Sequence, residues 1–521
     1  MEQTGKRYDC DVLVVGGGIN GAAIARDAAG RGLRVVLCEK DDLGEHTSSA
    51  SSKLIHGGLR YLEHYEFGLV RRALLERETL LRCAPHIMRP LRFVMPHDPG
   101  KGPGARPAWL IRAGLFLYDR LAHREFLPGS HGIDLRGHPA GAPLQPQFRR
   151  GFMYSDGWVD DARLVVLNAL DARERGATIL THTRCGPPQR HAGHWSAVLE
   201  EGGRRLQVTA RCLVNAAGPW AARFLEGAVA DAARGTPTLR LIKGSHIVVP
   251  RLFAHPHGYI FQHPDGRIVF ALPYEGAFTL IGTTDVDYRG DLDKVAISPE
   301  ETAYLCQLVN RYFAQHISPG DVVWSYAGVR PLVEDAAASA ADATRDYRLE
   351  LDRAGAPLLS VFGGKITTSR KLAEHAVDQV GAALGRPRPA WTAHACLPGG
   401  DLFGAHPDKR GVLEFGAWSA RQADRYPWLP PRLLQRYLRA YGTRVDVLLA
   451  RRNDMADLGP EVVPGLHEAE IDYLMRVEWA RSAADILWRR TKLGLHLAPT
   501  SAAVVDDWIA SHQPGQPAPM L

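Results

Sequence analysis

The sequence predicts an α/β protein, α+β overall, with a parallel-sheet domain discontinuous in the chain, a second, antiparallel sheet and a helical C-terminal region. Three observations carry this expectation. Asp11-Val-Leu-Val-Val-Gly16-Gly17-Gly18-Ile19-Asn20-Gly21 sets the apolar run Val12 to Val15 against a glycine cluster, the pattern of a strand buried on both faces that turns directly into a helix. Comparable junctions recur at Cys212-Leu-Val-Asn215-Ala-Ala217-Gly218-Pro219-Trp220 and at Leu358-Leu-Ser-Val361-Phe362-Gly363-Gly364-Lys365, so the intervening chain must form insertions. Between these two, short strands alternate with Pro, Gly and Asp turns, whereas Val412 to Trp508 is helical by pattern almost throughout.

The first junction has the chemistry of a dinucleotide cradle. In the Gly16-x-Gly18-x-x-Gly21 spacing, Gly16 permits the turn, Gly18 lets the backbone approach a pyrophosphate, and Gly21 lets helix pack on strand, with Asn20 in the helix's first turn. The phosphates then meet the positive end of a helix continuing through Ala22 to Ala29. A second strand, Arg34 to Glu39, ends about 20 residues on in an acid suited to the adenosine ribose, and no basic residue replaces it to favour a 2′-phosphate. A glycine triplet alone is weak; strand, triplet, helix, strand and acid in this order are a strong signal.

After Glu39 a contiguous nicotinamide domain continues with more βα units. Here Thr47-Ser48-Ser49-Ala-Ser-Ser-Lys53-Leu54-Ile-His56-Gly57-Gly58-Leu59-Arg60-Tyr61 follows instead. Short hydroxyl donors running into a Gly-Gly turn suit FAD lying extended across the domain. The competing reading is a solvent loop with a capping box, and His56 four residues before Arg60 is also the spacing of a surface pair. Gly363-Gly364-Lys365-Ile366-Thr367, opening a helix at Ser369 to Leu384, is another backbone nest fit for an anion.

The elements between these junctions follow from periodicity. Phe67 to Ala84 reads as an amphipathic helix with Leu69, Ala73, Leu74, Leu80 and Leu81 inward and Glu76, Arg77 and Glu78 toward water. Trp109 to Tyr118 is a short, strongly apolar helix with basic flanks, and the Pro/Gly-rich Gly129 to Gly151 reads as a domain crossing. A helix starts near Leu164, and Thr178 to Thr183, Trp195 to Leu199 and Leu206 to Thr209 are strands. Leu241 to Pro250, Tyr259 to Gln262, Ile268 to Leu272 and Phe278 to Thr283 form the second sheet, Ser298 to Phe313 is helical, and Pro398 to Gly411 links to the C-terminal helices.

Composition bounds the function without naming it. At 521 residues, 45% hydrophobic and 23% charged, the chain is an ordinary globular one of two to four domains. A net charge of +6 is too mild to argue for nucleic acid and fits an anionic substrate or membrane surface as well. Seven scattered cysteines without a Cys-x-x-Cys pair read as reduced, buried thiols of a cytoplasmic protein, with no metal site. No run of about 18 apolar residues exists to span a bilayer.

Val14-Val-Gly-Gly-Gly-Ile-Asn-Gly21, Thr47 to Glu63, Leu241-Ile-Lys-Gly-Ser-His246-Ile-Val-Val-Pro, Gly282-Thr-Thr-Asp285, Gly328-Val-Arg330-Pro and Phe362-Gly-Gly-Lys365 together resemble the aerobic, FAD-dependent glycerol-3-phosphate dehydrogenase family, from the first strand to about Leu497. The resemblance implies a discontinuous, Rossmann-like FAD domain of the D-amino-acid-oxidase type at residues 1–85, 151–225 and 326–395. An insertion with a membrane-proximal helix would occupy 86–150, an antiparallel substrate-capping sheet 226–325 and a helical domain 396–521. It further implies oxidation of sn-glycerol 3-phosphate and electrons passed to ubiquinone or a related quinone from the cytoplasmic face of an anionic membrane; the glycine fingerprint, with no special Cys or His attachment pattern, suits non-covalent FAD. A homodimer is expected, and no nucleic acid.

Flavin oxidation of a secondary alcohol needs a partner for the hydroxyl proton and cations for the phosphate dianion. The resemblance points to His56 beside the flavin for the proton, with His246 in reserve, and to Arg330 as both catalytic and phosphate-binding. Arg60, Tyr61, Thr283, Arg345 and Lys365 complete the expected substrate set. The cofactor set runs over Gly16, Gly18, Asn20, Gly21, Glu39, Thr47, Ser48, Ser49, Lys53, Leu54, His56, Gly57, Gly58, Leu59, Ala217, Gly218, Trp220, Gly328, Arg330, Gly363, Gly364, Lys365, Ile366 and Thr367. Two alternatives are an oxidase delivering the electrons to molecular oxygen and an FAD-containing RNA-binding protein using the basic C-terminal helices, the latter disfavoured because acids interleave with the arginines. Arg106 to Arg124 is expected to lie in the membrane interface, with Trp109 and Tyr118 at headgroup level; a core helix is the competing reading.

Overall fold

Val12, Leu13 and Val14 are completely buried, because the strand Arg7–Val15 has a parallel neighbour on each side, Arg204–Asn215 and Val35–Cys38, and helices on the sheet's faces. In this computed structural model, which describes residues 6–97, 107–228, 238–262, 267–333 and 346–512 with the side chains of Arg60 and His64 excepted, five parallel strands run in the order Leu358–Phe362, Arg204–Asn215, Arg7–Val15, Val35–Cys38 and Thr178–Leu180. Arg348–Asp352 adds an antiparallel edge. All three glycine junctions therefore leave the carboxyl edge of one sheet, where such sheets bind ligands. The helix Ile19–Gly30 packs between Asp161–Glu174 and Ser369–Ala383, drawn from chain far apart in sequence.

The second sheet is wider than the 226–325 segment. Leu239–Pro250, Phe278–Gly282, Ile268–Tyr274 and Gly258–Gln262 are joined by Met88–His97, Arg150–Val159 and Leu54–Ile55, and Trp324–Val333 pairs along the outer length of Leu239–Pro250. Among the described residues of this sheet, only the Gly258–Gln262 to Met88–His97 pairing is parallel. The cap thus takes strands from either side of the segment that the spacing of turns marks out.

Helices with a small hairpin, Glu461–Val463 and Leu466–His467, make up the C-terminal region. Its own apolar cluster, including Trp418, Tyr437, Leu474 and Ile486, separates it from the sheet domain, and buried ion pairs join the two. Arg163 holds Glu478, with Nη2 2.9 Å from Oε1, and Arg490 grips Asp42 at 2.6 and 2.8 Å.

Two expectations about helices need correction. In Phe67–Cys83 the apolar positions are buried as the period requires, but Glu76, Arg77 and Glu78 are buried too, at 6%, 1% and 4% exposure. Arg370 pairs with Glu76, and Asp156 takes Arg77 at 2.7 Å, so partners on other elements replace water. The helix Ala108–Arg120 is mostly surface and touches the core at two points: Leu115 and Tyr118 are buried, whereas Trp109, Leu110, Phe116 and Leu117 are exposed. Tyr118 therefore cannot sit at headgroup level; its hydroxyl donates to Asp156 and accepts the Gly57 N–H at 2.8 Å. Arg106 lies outside the described residues. Among the described residues no helix is long and apolar enough to cross a membrane.

Candidate active site

A single cavity of about 900 Å³ runs from the first glycine turn to the inner face of the second sheet, toward the upper end of the range for ligand pockets. At its nucleotide end, Gly16 has φ +109° and a Cβ there would stand 2.4 Å from the Ala216 carbonyl oxygen. A Cβ on Gly21 would come within 1.9 Å of the Gly16 carbonyl oxygen, so Gly21 lies behind the cradle and sets the helix against the turn. Glu39 accepts the Gly17 N–H at 2.6 Å and the Asp41 N–H at 3.0 Å; burial pushes its carboxyl above the ordinary range. Ser48 Oγ accepts the Ile19 N–H at the head of the first helix, and Thr47 Oγ1 donates to the Val329 carbonyl, tying this segment to the cap. Gly328 makes that approach possible, since a Cβ on it would meet Ala50 Cβ at 2.7 Å. Asn20 Nδ2 donates to the Gly363 carbonyl at 3.2 Å, while its buried Oδ1 has no partner among the described residues. Ala217, Gly218, Trp220, Gly363, Gly364, Ile366 and Thr367 complete this stretch of wall.

The lining also includes His56, Tyr61, Thr283, Arg330 and Lys365 with Phe270 and Asp285. Gly58, at φ +79°, leaves the space that the Tyr61 ring fills, and Lys365 Nζ stands 3.8 Å from the centre of that ring. The His56 N–H donates to Thr367 Oγ1 at 3.4 Å, and its ring meets the edge of Phe270 at 6.2 Å. Arg330 Nη1 donates to Asp285 Oδ1 at 2.9 Å and Nη2 to Thr283 Oγ1 at 3.2 Å, so one short turn holds the guanidinium of a strand some 45 residues on. Leu54 and Leu59 supply apolar wall.

Several expected residues lie elsewhere. Lys53 is buried away from the cavity with Nζ 2.8 Å from both Asp161 oxygens; a buried ammonium needs such a carboxylate. Gly57 gives its N–H to Tyr118, and the space beside it is filled by Leu74 and Tyr118. Ser49 turns its hydroxyl back to the Glu45 and His46 carbonyls. His246 is 2% exposed, stacked on Tyr326 and bonded through Nε2 to Ser52 Oγ at 2.9 Å; burial holds its pKa far below the ordinary value, so it is a neutral core ring behind the wall. Arg345 and the Arg60 side chain lie outside the described residues. Asp285, Phe270 and Arg267 line the cavity without having been singled out, although Gly282-Thr-Thr-Asp285 was visible as a motif.

Comparison with known proteins shows the family. Residues 11–370 match the family model for FAD dependent oxidoreductases, and residues 390–512 match the C-terminal domain of alpha-glycerophosphate oxidase. The chain is 54% identical to a glycerol-3-phosphate dehydrogenase of Pseudomonas aeruginosa, over 97% of this chain and 96% of the relative. It is 48% identical to the D-erythritol 1-phosphate dehydrogenase of Brucella abortus, over 96% and 97%. The FAD-complexed glycerol-3-phosphate dehydrogenase of Bacillus halodurans superposes with a TM-score of 0.76 at 26% identity, covering 98% of this chain and 91% of that one. The residues present fit FAD: the Gly16 cradle excludes any side chain, the helix N-terminus faces the cavity, and Asn20 Oδ1 offers a buried acceptor still without a donor. On these grounds the chain belongs to the FAD-dependent glycerol-3-phosphate dehydrogenase family, and its cofactor is FAD.

Proposed function

We propose that the enzyme oxidises sn-glycerol 3-phosphate at C2 to dihydroxyacetone phosphate with non-covalently held FAD and passes the electrons to a quinone, ubiquinone or a relative. It does so resting on an anionic membrane surface from the cytoplasmic side. The observation that supports this reading is that Arg330, Lys365 and His56 line the same cavity as the Gly16–Gly18 cradle. Bound FAD supplies the acceptor for the hydride leaving C2. Arg330 and Lys365 attract the phosphate dianion, with the Tyr61 hydroxyl as a further donor and Thr283 beside Arg330, and His56 takes the C2 hydroxyl proton, imidazole being the group that titrates near neutrality. Phe270 stands edge-on to the His56 ring at 6.2 Å and gives it an apolar neighbour. Arg60 and Arg345 are assigned to the phosphate by resemblance alone.

Support for the membrane comes from the exposed ridge of Trp109, Leu110, Phe116 and Leu117, whose helix reaches the Gly57 N–H through Tyr118, one residue from His56. Such a ridge sinks into an interface without spanning it and keeps the reduced flavin near a lipid-soluble acceptor. Oxygen is the second acceptor to test, because the C-terminal match is to an oxidase domain; D-erythritol 1-phosphate is the second substrate, because the Brucella relative carries that name. Anaerobic reduction with each polyol phosphate, followed by separate addition of oxygen and a soluble quinone, decides both: the proposal expects faster bleaching by glycerol 3-phosphate and faster reoxidation by quinone. The reverse order in either arm overturns that part.

A further inference from the structure

We infer that Asp285 is the positioning residue of Arg330, setting the guanidinium for the substrate phosphate. This rests on the phosphate role of Arg330 given above.

Asp285 lines the cavity, and its Oδ1 accepts from Arg330 Nη1 at 2.9 Å. Among the described residues it has no other hydrogen-bond partner. A carboxylate placed in the wall of an anion-binding end opposes the substrate's charge, so its presence there calls for a compensating task. Arginine has five N–H donors in a rigid fork. Asp285 takes one on Nη1 and Thr283 takes one on Nη2, leaving the others for ligand. Held at two nitrogens, the long side chain is ordered before substrate arrives, and less freedom is lost when it binds.

The surroundings are shaped for this arrangement. Gly244 lies on the neighbouring strand, and a Cβ there would stand 2.5 Å from Arg330 Nη2 and 2.6 Å from Thr283 Oγ1. Only glycine leaves the guanidinium where it is. The turn carrying Thr283 and Asp285 is anchored from below by Glu301, 7% exposed, whose Oε1 accepts from Thr284 Oγ1 at 2.8 Å and from Ser245 Oγ at 2.9 Å, while Oε2 lies 2.8 Å from Lys243 Nζ. These partners hold the Glu301 carboxyl below its ordinary range despite burial, so it stays ionised as an anchor. Glu301 fixes the turn, and the turn fixes Arg330.

The test is a double-mutant cycle on the FAD-loaded enzyme, reading KM and kcat for glycerol 3-phosphate against glycerol, with flavin content from the visible spectrum. Asp285→Ala should raise KM for glycerol 3-phosphate about tenfold or more, with the larger share of the loss in KM rather than kcat; the loss of a charge-assisted bond sets that scale. Asp285→Asn keeps an oxygen for Nη1 and should restore KM to within about threefold. In an Arg330→Ala background, Asp285→Ala should change KM less than about twofold. If Asp285→Ala does not fold, Asp285→Ser, too short to reach Nη1, carries the same comparison. Additive effects of the two substitutions, an unchanged KM in Asp285→Ala, or flavin loss as the main defect each overturn the inference. If Arg330→Ala itself keeps its preference for glycerol 3-phosphate over glycerol, the reading of Arg330 fails instead, and that outcome is visible before Asp285 is touched.

Discussion

Replacing Trp109 and Phe116 with serine should release the enzyme from anionic vesicles while leaving it folded and yellow. The two rings are 71% and 50% exposed, whereas Leu115 and Tyr118 on the same helix are buried and must be left alone. Taking ~200 Å² for an aromatic side chain, the rings together present about 240 Å², worth at most ~6 kcal/mol at ~25 cal/mol per Å² if fully withdrawn from water. Insertion into an interface is partial, but even a quarter of that figure is about a tenfold loss in partitioning. Co-sedimentation with vesicles containing anionic lipid measures it, alongside flavin absorbance and activity with both a lipid-soluble quinone and a soluble dye. The expected pattern is lost sedimentation and lost quinone reduction with dye activity kept. A variant that still sediments places the membrane face elsewhere. One that loses FAD or unfolds shows the ridge to be packing surface, and the membrane assignment at this helix falls.

The proposal of non-covalent FAD expects acid precipitation to release all the yellow colour; colour left in the pellet refutes it. Glu478→Ala strands Arg163, 1% exposed, at the junction of the sheet domain and the C-terminal helices, and should lower stability by roughly 3–5 kcal/mol in chemical denaturation; a loss under ~1 kcal/mol would show the pair to be dispensable. His86 is 1% exposed with neither ring nitrogen partnered among the described residues, and burial, reinforced by the Arg163 and Arg439 charges, pushes its pKa down to about 3 from 6.5. The unfolded chain then binds the proton first, so stability falls as pH drops from 6.5 toward 3; His86→Leu should flatten that fall, and an unchanged slope would assign it to other groups.

The local sequence determined a good deal by itself. Val12 to Val15, the Gly16–Gly21 spacing and Glu39 determine a strand, a turn and an acid within one short stretch, because a parallel strand must be apolar on both faces and a phosphate cradle must lack side chains. Likewise the hydroxyl-rich Thr47 to Ser52 segment and the Gly57-Gly58 turn marked a wall of the cavity, to which all but Ser49 and Gly57 contribute. What only the tertiary structure decided were roles set by partners far along the chain. Lys53 and His56 stand three residues apart in the same motif, yet Asp161 draws one into the core while the cavity receives the other. Glu76, Arg77 and Glu78 look like a solvated face until Arg370 and Asp156 arrive to pair them. The same holds for Tyr118, apolar by pattern and buried by its bond to Gly57, and for Asp285, an ordinary turn acid until Trp324–Val333 lays Arg330 beside it. Periodicity reports what a residue's own element requires of it. Whether a charge faces water, a ligand or a counter-charge depends on which distant element supplies the neighbouring atoms, and that is settled only when the sheets close over one another.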